Sequence, residues 1–178
     1  GRSGLFLIGS VLKDKNMKRF IIAVAALFFG AAFLSAQTLP DVKVENMSGE
    51  QVRIRDVVAG KPAIISFWGV TCKPCITELN TLNALMDEWL EQVDFDIIAV
   101  SVDDTRFLAR AKSMVQGYGW QFNCVFDRNQ DLKRAMNVSL TPQTFIVDAG
   151  GKIVYSHSGY TPGSEQELLD KLIEISGD

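Results

Sequence analysis

Pro62-Ala63-Ile64-Ile65-Ser66-Phe67-Trp68-Gly69-Val70-Thr71-Cys72-Lys73-Pro74-Cys75 is the stretch from which the fold follows. Its first half, Pro62 to Trp68, is an apolar, branched and aromatic run between Gly60 and Gly69. Such a run suits a strand buried on both faces rather than an amphipathic helix. From Cys75 to about Gln92, Leu79, Leu82, Leu85, Met86 and Trp89 recur at helical spacing, with Glu78, Asp87, Glu88 and Glu91 mostly elsewhere. Two cysteines three residues apart therefore fall where a buried strand ends and a helix begins.

Working outward, Phe95 to Val102 reads as a second buried strand, Arg106 to Gln116 as a helix ending at Gly117 or Gly119, and Gln121 to Phe126 as a third strand. Strands alternating with helices point to a parallel sheet. Asp103 and Asp104, after the second strand, are expected to cap the helix that follows. A short helix is expected around Asp131 to Met136. Beyond it, Thr144 to Val147 and Ile153 to Tyr155 flank an Ala149-Gly150-Gly151-Lys152 turn and read as an antiparallel hairpin, which makes the sheet mixed. Ser164 and Glu167 have capping-box spacing ahead of an amphipathic helix carrying Leu168, Leu169, Leu172 and Ile173. Upstream, Asp41 to Asn46 and Gln51 to Arg55 alternate about a Ser48-Gly49-Glu50 turn, an N-terminal β-hairpin expected to cover a sheet edge.

Of the 178 residues, 47% are hydrophobic and 22% charged, which suits one globular domain plus an accessory segment. Such a domain is large enough to fold without disulfide staples or a metal, so the three cysteines are free for chemistry. The net charge of -3 is unevenly spread: residues 1–37 hold five Lys or Arg and one acid, leaving 13 basic and 20 acidic residues, a net of -7, in 38–178. An acidic body without a basic run argues against nucleic acid as a partner.

Met17, Lys18 and Arg19 precede an apolar run from Phe20 to Leu34 and then Ser35-Ala36-Gln37, the pattern of a secretory signal. Residues 1–16 read as upstream sequence, 17–37 as a leader cleaved near Ala36, and 38–178 as the functional domain. That places the domain outside the cytoplasm, in the periplasm or an equivalent compartment. The apolar run is short for a membrane span, and an uncleaved leader would act as an anchor.

A helix N-terminus presents free amides and a positive dipole end, which stabilise a thiolate, so Cys72 is expected to be the attacking thiol. Cys75, one turn deeper, would resolve the mixed disulfide. Lys73 adds positive charge, and Pro74 suits a first turn where no amide hydrogen is needed. A purely structural bridge over so short a loop does little for stability in the chain-entropy account. Cys124, within Phe122 to Phe126, is expected to be a buried core thiol. His157, the single histidine, is expected at the surface or in packing rather than as a base.

The chain resembles the thioredoxin superfamily, and within it the exported TlpA and ResA-like branch, over roughly residues 38–176. The resemblance rests on Trp68, Cys72, Pro74 and Cys75, and on Thr141-Pro142 ahead of Gln143 to Val147, similar to the family's cis-proline loop. It implies an α/β, thioredoxin-like fold: a mixed central sheet flanked by helices, with the N-terminal hairpin and an inserted βα unit from Gln121 to Met136 before the cis-proline loop. By the same resemblance Thr141 would dock an extended substrate segment and Pro142 would wall the disulfide, with Trp68, Lys73 and Pro74 beside them. The chain departs from thioredoxins at Thr71, where an aromatic is usual, and at Ser66, where a buried acid is usual. In ResA-like members a Glu three residues after the second Cys is thought to relay protons, and Glu78 matches it.

These features imply an exported thiol-disulfide oxidoreductase, needing no cofactor or metal, that reduces disulfides of other exported proteins and draws electrons from a membrane donor. Cytochrome c maturation and thiol repair are the contexts the resemblance offers. A peroxide reductase on the same superfold would want Thr three residues before its reactive Cys, where this chain has Gly69. A copper or zinc carrier would use Cys72, Cys75 and His157 as soft ligands.

Overall fold

The computed structural model describes residues 37–58 and 60–177. The expected upstream segment and the leader as far as Ala36 lie outside the described residues. Seven strands are present among them: β1 (Lys43–Glu45), β2 (Gln51–Arg53), β3 (Ala63–Trp68), β4 (Asp96–Ser101), β5 (Asn123–Phe126), β6 (Gln143–Val147) and β7 (Ile153–Ser158). The helices are α1 (Ile54–Val57), α2 (Lys73–Leu90), α3 (Leu108–Tyr118), α4 (Asp131–Ala135) and α5 (Glu165–Ser176). The strands form one mixed sheet in the order β2-β1-β5-β4-β3-β6-β7, an α/β fold with the expected N-terminal hairpin on one edge.

β3 is the pivot, parallel to β4 and antiparallel to β6, with every residue buried. The connections β3-α2-β4 and β4-α3-β5 step the same way across the sheet, so right-handed crossovers place α2 and α3 on one face. There Ile64, Trp68, Ile97 and Ala99 pack against Leu79, Leu82, Ala111 and Val115, and α5 joins them through Leu168, Leu169 and Leu172. The opposite pleats, Ile65, Phe67, Ile98, Val100 and Phe145, pack against Ile54 of α1 and Leu132 of α4. Alternation along each strand thus feeds two cores, which is why β3 and β4 read as near-continuous apolar runs.

β5 and α4 are the expected inserted βα unit, β5 lying parallel beside β4. The hairpin meets β5 at Glu45 and Phe126. Glu45 is buried there, and it accepts from Lys112 Nζ at 2.8 Å while Arg128 Nε stands 3.1 Å away. A buried carboxylate needs such partners.

Several local expectations are corrected. The second hairpin strand stops at Arg53, because Ile54 turns into α1 and buries itself against the opposite core. Ser164 and Glu167 do not form a capping box: Ser164 already has helical backbone angles, and its hydroxyl makes no bond. Glu165 takes over, accepting from the Gly163 amide at 2.9 Å and the Tyr160 hydroxyl at 3.1 Å. Asp103 does not cap α3, whose N-cap is Phe107, and Asp104 instead accepts from the Arg106 amide and guanidinium. The end of α3 is Gly119, at φ 66°, the left-handed position that favours glycine.

Buried Asp127, at the end of β5, accepts from the amides of Leu132 at 3.2 Å and Lys133 at 2.8 Å. Burial nonetheless raises its carboxyl above the usual range. Replacing Asp127 with Ala leaves both amides at a buried helix start without that partner. The variant should be less stable by about 1–3 kcal/mol, seen as a lower urea midpoint at unchanged slope.

Candidate active site at the start of α2

Trp68 ends β3, and the chain reaches α2 through Gly69, Val70 and Thr71. Three contacts fix this passage: the Val102 amide donates to Trp68 O at 2.9 Å, the Cys72 amide to Gly69 O at 3.0 Å, and the Val70 amide to Asp103 Oδ2 at 2.9 Å. Asp103 is itself held by the Ser101 hydroxyl at 2.9 Å. The residue expected to cap a helix therefore ties down the loop before the cysteines.

Cys72 is the N-cap of α2, extended in backbone, and its Sγ accepts from the Cys75 amide at 3.4 Å. Pro74 lies in the first turn, where no amide donor is required, and no acid is present there. The two cysteines form a disulfide with Cα atoms 5.3 Å apart. They differ in access, since Cys72 is half-buried and Cys75 is 0% exposed. Lys73 and Pro74 are exposed at the rim.

Glu78, one turn beyond Cys75 on the buried side of α2, is 1% exposed. Its Oε2 accepts from the Ser66 hydroxyl at 3.0 Å and its Oε1 from the Thr144 hydroxyl at 2.8 Å. Strand register explains these partners: Ser66 of β3 sits opposite Thr144 of β6, which sits opposite His157 of β7. Adjacent strands thus present a row of three polar residues on the face α2 covers. His157 Nε2 is 3.6 Å from Glu78 Oε1, so the histidine expected at the surface or in packing is turned toward the buried acid.

The Thr141-Pro142 bond is cis, as the resemblance implies, and Pro142 is buried with Thr141 half-buried. The neighbouring Leu140 is 75% exposed. Trp68 is fully buried and meets Trp120 edge-on, with ring centres 5.0 Å apart, while Trp120 donates from Nε1 to Asn80 Oδ1 at 2.8 Å. Trp68 is consequently an inner wall and not a surface for substrate. Cys124 is a free, buried thiol whose surroundings push it up to about 12. No cluster of three metal-ligating side chains exists among the described residues, so Cys72, Cys75 and His157 do not assemble into the soft-ligand site considered above.

Sequence reasoning missed Thr144, Trp120, Asp103 as a loop anchor and His157 as a neighbour of Glu78. The available signal was the interruption of the buried apolar runs by Ser66 in β3 and Thr144 in β6, which marks a polar object facing both strands.

Residues 36–156 match the model of the AhpC/TSA family. A relative named thiol-disulfide oxidoreductase ResA from Bacillus thuringiensis is 31% identical over 115 residues, covering 65% of this chain and 64% of the relative. The chain thus spans a little under two-thirds of that relative's length. A ResA from Halalkalibacterium halodurans is 26% identical over 170 residues, 89% of this chain and 93% of the relative. Among solved structures, a thioredoxin-like protein from Porphyromonas gingivalis superposes with a TM-score of 0.70 at 44% identity, covering 78% of this chain and 92% of that one. A DsbE-type thiol:disulfide interchange protein from Chlorobium tepidum superposes at 0.67 with 23% identity, over 79% and 96% of the chains, a likeness of fold alone. With its Cys72–Cys75 disulfide at the start of a helix and a cis-proline on the neighbouring loop, the chain belongs to the AhpC/TSA family and has the thioredoxin-like fold.

Proposed function

We propose that this protein is a thiol-disulfide oxidoreductase of the ResA type, which reduces disulfides of exported proteins through Cys72 and Cys75. The observation that carries the reading is the unequal placement of the two sulfurs. Cys72 is half-exposed at a helix N-terminus, within reach of a partner, while Cys75 is buried beside a walled-in carboxylate.

In the reduced protein the Cys72 thiolate attacks a substrate disulfide, forming a mixed disulfide and expelling one substrate thiolate. Backbone amides at the start of α2 stabilise that attacking charge. Cys75 then gives its proton to Glu78 and attacks Cys72 Sγ. The Cys75–Cys72 bond forms, the Cys72–substrate bond breaks, and the second substrate sulfur leaves as thiolate. Two electrons pass to the substrate, and the chain is left with the disulfide seen here. A membrane-bound dithiol donor would restore the reduced form. Thr141 and exposed Leu140, beside Pro142, offer an edge where an extended substrate segment can pair and rest an apolar side chain. The leader at 17–37 supports an extracytoplasmic location, and cytochrome c maturation and thiol repair are the contexts that suit it.

The peroxide-reducing alternative has less support. Gly69 provides no hydroxyl three residues before Cys72, and a buried Cys75 one turn away is arranged for dithiol exchange.

Thiol accessibility is the first check. In the reduced protein at pH 8, iodoacetamide should modify Cys72 rapidly. Cys124, buried and with its thiol pushed up to about 12 by that burial, should react only after unfolding. Fast native modification of Cys124 would make it a reactive thiol and remove it from the core.

The second check is redox direction. Equilibration with glutathione buffers should give a potential near about -250 mV or below, and Cys75→Ser should accumulate mixed disulfides through Cys72 with oxidised substrate. A potential near about -120 mV would make the protein a disulfide donor and reverse the proposed flow.

A further inference from the structure

His157 is the chain's single histidine, on β7 at the sheet edge. Its side chain is 19% exposed, yet both ring nitrogens are shielded from solvent and neither has a hydrogen-bond partner. A neutral imidazole carries one N–H and one lone pair, and shielding both without partners forfeits their hydration for nothing. The nearby polar atom that could repay this is Glu78 Oε1, 3.6 Å from Nε2. A closer approach of a few tenths of an ångström makes it a hydrogen bond.

The other ionisable groups on this side are accounted for. Tyr155 precedes His157 on the same face of β7, with ring centres 5.7 Å apart, and its phenol is pushed up to about 12 by burial and by Glu167 of α5. The Tyr160 hydroxyl is paired with Glu165 of α5 and with the Thr81 hydroxyl of α2. From β6 the facing residue is Thr144, whose hydroxyl is committed to Glu78 and Ser66. Glu78 itself comes from α2. Neither phenol bonds the imidazole, so Glu78 is the acidic neighbour that His157 can serve.

We propose that His157 is a positioning residue for Glu78. Its Nε2–H closes on Oε1 when the carboxylate is charged and relaxes to the longer separation when Glu78 holds the proton from Cys75. The two hydroxyls of Ser66 and Thr144 orient the carboxylate in both states, whereas the imidazole responds to its charge. The redox state of Cys72–Cys75 would thereby be felt at the sheet edge. This inference rests on the reading of Glu78 as the proton acceptor for Cys75.

A single histidine makes the test direct. Nitrogen-15 imidazole resonances of the full chain should differ between the disulfide and dithiol forms, and that difference should vanish in Glu78→Gln. In single-turnover reduction of a model disulfide, His157→Phe removes a donor that favours the charged carboxylate, so Glu78 takes the Cys75 proton more readily and the second substrate thiol should leave about five- to tenfold faster, the scale of one ordinary net hydrogen bond. His157→Gln, which restores an N–H donor, should bring the rate most of the way back to that of the wild type. If His157→Phe matches the wild type while Glu78→Gln is slow, the pairing is overturned and the role of Glu78 stands. If Glu78→Gln is also unimpaired, both fall. Should the Phe variant fail to fold, the resonances of the wild type and Glu78→Gln decide: a redox difference independent of Glu78, or none, overturns the proposal.

Discussion

A carboxylate removed from water has to be met by donors, and the burial of Glu78 between α2 and the sheet is the constraint on which the rest of this structure turns. Its donors, Ser66 and Thr144, come from antiparallel neighbours and sit opposite each other. Moving either strand by one residue would send its hydroxyl to the other face, away from the acid. The acid therefore specifies the β3–β6 register as strictly as the surrounding apolar residues do. Because β7 is paired with β6 by the same row, the placement of His157 follows.

The second determinant is how the chain passes from β3 into α2. Asp103 holds the Val70 amide and Trp68 O takes the Val102 amide, so the loop before Cys72 is anchored to the end of β4. Beneath it, Trp68 leans on Trp120, which is itself tied to Asn80 of α2. These contacts set Cys72 as the N-cap and leave Cys75 one turn inside. The difference in access between the two sulfurs, on which the proposed dithiol exchange rests, is thus a property of a fixed strand-to-helix joint.

Much of this was legible in the sequence because it is periodic or local. The buried run from Pro62 to Trp68, the helical stripe after Cys75, the two hairpins and the Thr141-Pro142 dipeptide all leave marks within a few residues, and all are present, the first hairpin with a shorter second strand than expected. What could not be read depends on which strands become neighbours. Ser66, Thr144 and His157 are separated by 78 and 13 positions in the chain and are adjacent only through register. Asp103 carries the signature of a helix cap, but a loop amide 33 residues away competes for its carboxylate and wins. Ser164 fails as a cap for a nearer reason, since Glu165 reaches both the Gly163 amide and the Tyr160 hydroxyl.

The position of the acid separates this site from the thioredoxin pattern it resembles. There the usual buried acid stands two residues before the strand tryptophan, the position held here by Ser66. Here the strand contributes a hydroxyl and the helix contributes the carboxylate, so the two have exchanged roles across the same interface. An acid on the strand can be brought to the resolving cysteine only by packing between two elements. An acid on α2 is carried by the same helix, three residues from Cys75, where helix geometry alone keeps them neighbours. Small shifts of α2 against the sheet would then move thiol and acid together. They would change instead the distance to Ser66, Thr144 and His157, the groups that face the acid from the sheet.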